Sequence, residues 1–166
     1  MIFQIVEKID HLFGVEKASA HCDIPCGIYD PHMAEVAALT VIRMIDLMGE
    51  LKATHAEGTP DYMHSFIRYT NVKEEHAEIL KREVRVIFGD YFKKEHVDKW
   101  PELPGLVHKI MQAGSKARQT ASRENALAFL DLINQFAAIY WASKGIETKK
   151  VKAPYKPGEE IVYPIL

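Results

Sequence analysis

The chain has 166 residues, 48% of them hydrophobic, with a formal net charge of -2 and a sequence pI of about 6.4. A chain of this length can bury the core of one domain without help from disulfides or a structural metal. The slightly negative charge argues against a nucleic-acid-binding protein, and no apolar run reaches the roughly eighteen residues of a membrane span, so we expect a soluble protein.

Residues 1–20 are predicted to form a cytoplasmic pro-segment rather than a secretory signal. The tripeptide Ala18-Ser19-Ala20 before His21 imitates a signal cleavage site, but charged residues interrupt the apolar stretch that a signal peptide needs. These charged residues are Glu7, Lys8, Asp10, Glu16 and Lys17. The apolar residues of the segment recur at helical spacing, which predicts a short amphipathic helix.

Capping signals open two predicted helices. Asp30 followed by Pro31 is a helix start, and the helix that it opens runs to about residue 53. The apolar residues of this helix spread over more than one face, which suggests a second buried side at a subunit contact. Thr59 and Pro60 repeat the signal and open a second helix that runs to about Phe88.

Two further helices and an extended arm complete the predicted fold. After an irregular connection, a third helix runs from 102 to about 118, and Ser122 caps a fourth helix that stops at Gly145. Prolines rule out a continuous helix in residues 145–166, which we expect to form an extended arm appended to the rest. Four helices with short connections predict an all-α protein, an antiparallel up-and-down four-helix bundle over residues 31–144.

Both cysteines of the chain, Cys22 and Cys26, lie in one short segment with His21. One imidazole and two sulfurs so close together indicate a metal-binding loop, because such ligands select late transition metals over magnesium or calcium. Pro25 disfavours a helix through the segment, and Gly27 leaves the backbone free to turn, so the ligands can converge on one point.

The number of ligands in this segment bears on the choice of metal. Zinc is the commonest partner of cysteine and histidine, but a structural zinc site needs four side-chain ligands and would here require a distant histidine. If His21 became the first residue of the chain, its amino group and the amide nitrogen of Cys22 would join the two sulfurs in a plane. A planar arrangement of four ligands suits nickel(II) or copper(II).

The run HCDIPCGIYDP, from His21 to Pro31, resembles the active-site hook of the nickel superoxide dismutases. The likeness extends to Asp90-Tyr91-Phe92-Lys93, to His96 and to Pro101-Glu102-Leu103, and it covers nearly all of residues 21 to about 144. The resemblance implies a superoxide dismutase whose nickel ion cycles between Ni(II) and Ni(III), turning superoxide into hydrogen peroxide and dioxygen.

The resemblance also assigns roles to the hook, which we define as residues 21–29. It implies that three residues bind nickel: His21 through its amine and ring nitrogen, Cys22 through its amide nitrogen and sulfur, and Cys26 through its sulfur. It further implies that the pocket for the anion and water is shaped by Asp23, Tyr29 and Tyr91. The amine of His21 is free only after cleavage, so the chain as given would be a precursor.

Two positions depart from the pattern of the best-known members of this family. Ala37 stands where a glutamate steadies the histidine ring of the hook, and His76 stands where an arginine on the second helix does so. Glu35 lies about half a helical turn from Ala37 and is not a simple replacement. We therefore predict that His76, together with Pro25 of the hook, lies in the shell of residues that orients the ligand His21.

The resemblance implies partners and a division of the chain. It implies a homo-oligomer, a hexamer by analogy with the family, and a protease that cuts between Ala20 and His21. The predicted parts are a pro-segment 1–20 and a dismutase domain 21–166 with its hook 21–29, bundle 31–144 and arm 145–166. We expect the protein in the cytoplasm, with superoxide as its substrate and with no nucleic-acid or membrane partner.

Two other functions are compatible with the ligand cluster. The first is a metal-binding or storage module that holds zinc, copper or nickel without turnover and needs no cleavage. The second is a thiol redox sensor in which Cys22 and Cys26 are oxidised reversibly, although this leaves His21 and Tyr29 without a role. A loop disulfide or a pair of buried thiols is the structural alternative for the cysteines.

Overall fold

A computed structural model describes residues 27–166, and the predicted pro-segment and metal ligands lie outside this range. The helices and strands are α1 His32–Glu50, α2 Pro60–Val86, α3 Lys94–Lys99, α4 Leu103–Gln119, α5 Arg123–Ser143, β1 Thr148–Lys152 and β2 Glu160–Pro164. A short 3-10 helix, Leu51–Ala53, continues α1, and a π-helix, Ile87–Tyr91, continues α2. No helix among residues 27–166 is long and apolar enough to cross a membrane.

The starts of α2 and α5 follow the predicted capping chemistry. The Thr59 hydroxyl accepts the backbone N–H of Tyr62, and Pro60 occupies the first helical position. The Ser122 hydroxyl accepts the backbone N–H of Asn125 at 3.2 Å. Each cap satisfies one of the N–H groups that the first turn of a helix leaves without a partner.

The first helix begins one residue later than predicted. Pro31 precedes the helical residues, and the carboxylate of Asp30 accepts the backbone N–H of His32 at 2.8 Å. Asp30 therefore still orders the start of the helix, because it satisfies a free donor there and places negative charge at the positive end of the helix dipole.

Four helices form a closed bundle around one core. Helix α1 packs against α2 and α5, and α4 packs against the same two helices. The largest fully buried apolar side chains of the bundle are Leu39, Ile42, Leu80, Ile87, Leu103, Ile110, Phe129, Ile133, Phe136 and Tyr140. The helical bundle predicted from the sequence is confirmed, whereas the antiparallel up-and-down course of its helices stays a prediction.

The connection between α2 and α4 is more ordered than the sequence indicates. It contains the π-helix and the six-residue helix α3, which were predicted as an irregular link. Within it, Phe92 is buried and adopts an extended backbone after the π-helix. The link is therefore anchored in the core, and it holds Tyr91 at a defined place beside α5.

The C-terminal residues form a β-hairpin that is part of the core. Strands β1 and β2 pair antiparallel with Val151 opposite Ile161. Ile161 and Val162 are buried, as is Ala153 in the connection between the strands. The expectation of extended backbone is confirmed, but the expectation of an appended arm is wrong, because apolar side chains of the hairpin pack on α1 and α5.

Candidate metal centre

The structure describes the last residues of the hook, 27–29, and the two residues that join them to α1; we call residues 27–31 the stem. Gly27 has a φ of +92°, a left-handed conformation that glycine adopts without steric cost. Ile28 is 82% exposed, whereas Tyr29 is half-buried and packs against the bundle core. The predicted turn at Gly27 is therefore present, and it brings the chain from the hook to the surface of α5.

Tyr140 of α5 fixes this stem to the bundle. Its hydroxyl donates a hydrogen bond to the backbone carbonyl of Tyr29. Burial raises the pKa of Tyr140, and the nearby Tyr91 and Asp30 raise it further, so the phenol keeps its proton. A fully buried phenol that stays protonated is a permanent donor, and the backbone of the hook stem is held by it.

An aromatic cluster lies beside the stem, with Tyr91 at its centre. The ring centroid of Tyr91 lies 5.8 Å from that of Tyr29 and 4.9 Å from that of Tyr140. Phe92 and His96 complete the cluster, with centroids 5.0 Å and 5.3 Å from Tyr91. The structure thus brings Tyr29 and Tyr91 together, two residues that lie far apart in the sequence and that we assigned to the same pocket.

Polar contacts orient the Tyr91 ring. The hydroxyls of Tyr91 and Ser143 lie 2.7 Å apart, and Ser143 donates its own proton to the backbone carbonyl of Tyr140 at 2.6 Å. A serine hydroxyl has one proton, so Tyr91 is the donor to Ser143. The ammonium of Lys144 lies 5.0 Å from the Tyr91 ring centroid and 5.3 Å from that of Tyr140, within the range of a cation–π contact.

Sequence reasoning missed Ser143 and Lys144 and treated Tyr140 only as an apolar core residue. The three residues lie at i, i+3 and i+4 on α5, a spacing that places them on one face of a helix. A tyrosine, a serine and a lysine on one face at the end of a helix are a signal for a polar site. Its partner, Tyr91, could be recognised only once the π-helix was known.

The structure does not bring the other predicted neighbours of the hook into this cluster. The ring of His76 forms its hydrogen bond through Nδ1 with the backbone carbonyl of Val72, inside its own helix, at 2.9 Å. Ala37 is buried, and Glu35 is hydrogen bonded to the C-terminal hairpin. The prediction that His76 orients His21 stays a prediction, because His21 lies outside the described residues.

The metal ligands predicted from the sequence also lie outside the described residues, as do Asp23 and Pro25. Within residues 27–166, no group of three or more histidine, cysteine, aspartate or glutamate side chains is placed to hold a metal ion. The donors of the predicted set are the histidine and two cysteines of the hook. Two thiolates and an imidazole fit nickel by their chemistry.

Comparison with known proteins identifies the family of this chain. A family model described as nickel-containing superoxide dismutase matches residues 16–144. A protein named superoxide dismutase (Ni) from Streptomyces seoulensis is 37% identical over 128 residues, which cover 77% of this chain and 91% of that protein. A second protein of that name, from Streptomyces coelicolor, is 38% identical over 126 residues, which cover 76% of this chain and 89% of that protein.

Solved structures are similar over the same region. The native 1.30 Å structure of a nickel superoxide dismutase has a TM-score of 0.65 and 36% identity, and the match covers 75% of this chain and 99% of that one. A nickel-containing superoxide dismutase with ligation corresponding to the oxidised state gives a TM-score of 0.66 at 35% identity, with the same coverage.

A helical bundle in a chain whose sequence places one histidine and two cysteines within six residues indicates a helical metalloprotein. Within that class, the chain belongs to the nickel-containing superoxide dismutase family, because the family match runs from before the hook to the end of α5. The C-terminal hairpin lies beyond the matched residues.

Proposed function

We propose that this protein is a superoxide dismutase that uses a nickel ion bound by His21, Cys22 and Cys26. The observation that carries the proposal is the family match, which spans the hook and the whole bundle without interruption. The adjacency of Tyr29 and Tyr91 beside the hook stem supports it, since both were assigned to the anion pocket. Bound nickel would supply one-electron cycling, reducing one superoxide to peroxide and oxidising another to dioxygen.

The residues of the chain position the hook and shape the pocket. Tyr140 holds the stem through the carbonyl of Tyr29, so the ligands of the hook start from a fixed point. The rings of Tyr29 and Tyr91 form an aromatic wall that limits the access of water and of larger anions. Asp23, which precedes this wall in the hook, is proposed to take part in the same pocket.

The electrostatics of this wall suit a small anion. Lys144 is exposed and places its ammonium over the faces of Tyr91 and Tyr140. An exposed cation beside a site raises the local concentration of an anionic substrate, although the chain as a whole carries a formal net charge of -2. The pocket is therefore more favourable to superoxide than the net charge suggests.

Activity requires cleavage before His21 under this proposal. Residues 1–20 block the amine of His21, and a thiolate-rich site keeps its metal in a useful redox range only when the complete ligand set is present. The pro-segment is therefore proposed to keep the chain inactive until a protease cuts between Ala20 and His21. The cysteine-bearing hook and the charged residues of the pro-segment support a cytoplasmic location.

The test compares three forms of the protein loaded with the same nickel: the uncleaved chain, a chain that begins at His21, and a chain that begins at Ala20. The Ala20 form is the matched control, because it has a free amine one residue away from the proposed position. We expect rapid superoxide consumption only from the His21 form. Nickel binding in all three forms without turnover would instead favour the storage module.

We also propose that the protein works as a homo-oligomer, and by analogy with the family as a hexamer. Large apolar side chains are exposed on α2 at Met63 and Ile67 and near the hook at Ile28 and Met33, all at least half exposed. Exposed apolar side chains close together are typical of subunit contacts. Native mass spectrometry of the His21 form measures the number of subunits, and a monomer would contradict the proposal.

A further inference from the structure

The C-terminal hairpin lies outside the family match and is tied to the bundle by two buried polar side chains. The amide of Asn134, on α5, donates to the backbone carbonyl of Glu160 at 3.0 Å. The carboxyl of Glu35, on the first turns of α1, accepts the backbone N–H of Val162 at 2.8 Å. The hairpin therefore closes over the start of α1, next to the stem of the hook.

Glu35 is an unusual residue to hold the hairpin, because its carboxyl is completely buried and only one of its two oxygens accepts a hydrogen bond from the described residues. The residue has no exposed surface, and its oxygen Oε2 has no hydrogen-bond partner among residues 27–166. A carboxylate buried in this way, without a cation in direct contact, is costly, whereas a neutral carboxyl is tolerated. The hairpin supplies one wall of this enclosure and the only hydrogen bond that the described residues give to the carboxyl of Glu35.

The groups that face Glu35 offer little compensation for a negative charge. On its own helix, Nδ1 of His32 lies 3.7 Å from Oε2 and carries a charge only when the ring is protonated. From the hook stem, Asp30 adds a like charge. From the hairpin, Tyr155 and Tyr163 face the site, and the Tyr163 ring lies 5.6 Å from that of His32.

Burial is the main cause that raises the pKa of Glu35, to about 8, against the opposing effect of the Val162 N–H. In an open state, with the hairpin released, the carboxyl meets water and its pKa returns to the ordinary range near 4.5. Closing at any pH between these values requires the carboxylate to take up a proton from solvent, and opening releases that proton.

We propose that the C-terminal hairpin is a pH-sensitive strap, closed over the start of α1 by the neutral carboxyl of Glu35 and opened as that carboxyl gives its proton to solvent. Since one proton is exchanged, the equilibrium constant for opening rises about tenfold per pH unit between roughly pH 5 and pH 8 and is level above that range. The closed state of the hairpin is therefore most stable at acidic pH. Its opening uncovers the first turn of α1.

The test is hydrogen exchange of the full chain, resolved to the Val162 amide and expressed as a protection factor, so that the intrinsic pH dependence of exchange is divided out. We expect the protection factor to fall by roughly a few hundredfold from pH 5 to pH 8, since the pKa of Glu35 is about 8 in the closed state and near 4.5 in the open state. In Glu35→Gln, which keeps the acceptor for Val162 but cannot titrate, it should be level. Glu160→Gln, an exposed carboxylate on β2, is the matched control and should keep the full slope.

A second variant keeps the test decisive if the Glu35→Gln chain folds poorly. Asn134→Leu removes the other tie without touching the titrating group, so it should raise opening by a constant factor and leave the slope unchanged. A level Val162 protection factor in the unmodified chain would overturn the proposal, as would the same slope in Glu35→Gln. A Val162 amide as strongly protected as the amides of α5 at pH 8 would also overturn it, because exchange at Val162 would then require the whole bundle to open.

Discussion

Tyr91 and Ser143, 52 residues apart in the chain, share a hydrogen bond between their hydroxyls in which Tyr91 is the donor. The direction follows from Ser143, whose proton is already given to the carbonyl of Tyr140. The phenol proton of Tyr91 is therefore not available to an anion in this arrangement. We therefore propose that Tyr91 shapes the predicted pocket through the place of its ring beside Tyr29, where the hydrogen bond to Ser143 orients it.

The coupling between these two hydroxyls can be measured. Tyr91→Phe should lower the free energy of unfolding by about 1 kcal/mol, because it removes this part-buried hydrogen bond. Ser143→Ala should lower it by more, because it also removes the hydrogen bond to the carbonyl of Tyr140. The double variant should lose little more than Ser143→Ala, giving a coupling energy of roughly 0.5–1 kcal/mol in urea denaturation. Additive losses would show that the two hydroxyls do not act on each other.

Tyr140 should matter for the hook as well as for stability. Tyr140→Phe keeps the buried ring and removes only the donor to the carbonyl of Tyr29, so the unfolding free energy should fall by roughly 1–2 kcal/mol. Because the stem loses its anchor, nickel should dissociate faster from the variant. Tyr155→Phe, on an exposed part of the hairpin, is the control. Unchanged nickel release in Tyr140→Phe would argue against an anchoring role.

Lys144 should contribute to substrate attraction in an ionic-strength-dependent way. Lys144→Glu reverses an exposed charge beside the aromatic cluster, and we expect kcat/KM for superoxide to fall by about threefold to tenfold at low salt. The difference should shrink as salt screens the charge. Lys52→Glu makes the same change of charge just after the C-terminal end of α1. The hook stem lies at the N-terminal end of this helix, which is roughly 28 Å long, so the variant should have little effect. Equal effects of both variants would rule out local steering.

The parts of the fold that depend on local chemistry could be predicted from the sequence. Thr59 with Pro60, and Ser122, mark helix starts because a cap is formed between residues three apart. The π-helix and α3 were missed, because neither has a strong local signal. The pairing of Tyr29 with Tyr91 followed from family resemblance, and nothing in the spacing of the two residues could have shown it.

The docking of the C-terminal hairpin on the bundle could not be predicted from the sequence. Glu35 looks like an ordinary polar residue near the start of a helix, and acidic residues there are expected at the surface. Its burial depends on Val162, a residue 127 positions later that supplies both a wall and a hydrogen bond. Contacts of such long range are set by the tertiary fold, so neither the burial of Glu35 nor the docking of the hairpin could be predicted from local patterns.

Lys73 should be one of the most important polar residues for stability. Lys73 lies on α2, and its buried ammonium reaches the C-terminal end of α4. There it donates hydrogen bonds to the backbone carbonyls of Ala117, Arg118 and Thr120. Lys73→Met leaves these carbonyls without their partner, so we expect a loss of about 3 kcal/mol in chemical denaturation.

The matched control for Lys73 is Lys94→Met, because Lys94 is 85% exposed and, among residues 27–166, forms an ion pair only with Asp98 on its own helix. Its loss should stay within about 0.5 kcal/mol, the usual range for a surface ion pair. If both variants lowered the free energy of unfolding by the same amount, the buried ammonium of Lys73 would contribute no more to stability than a surface lysine.

The pKa of Glu35 also sets the sign of a pH effect on the stability of the whole chain. Because burial raises this pKa from 4.5 to about 8, the folded state binds more protons than the unfolded state between these values. Stability from Glu35 is therefore complete below about pH 4.5 and is lost as the pH rises to 8, by at most about 1.4 kcal/mol per pH unit.

This effect is isolated by subtracting the unfolding free energy of Glu35→Gln from that of the unmodified chain at pH 5, 6.5 and 8 in the same buffer series. This difference, the unfolding free energy of the unmodified chain minus that of Glu35→Gln, should decrease steadily as the pH rises. The slope should be smaller than the limiting value once the hairpin opens, because an open strap lets Glu35 ionise without unfolding the bundle. A difference that grows in favour of the unmodified chain would mean that Glu35 is charged in the folded protein and that a cation, not a proton, satisfies Oε2.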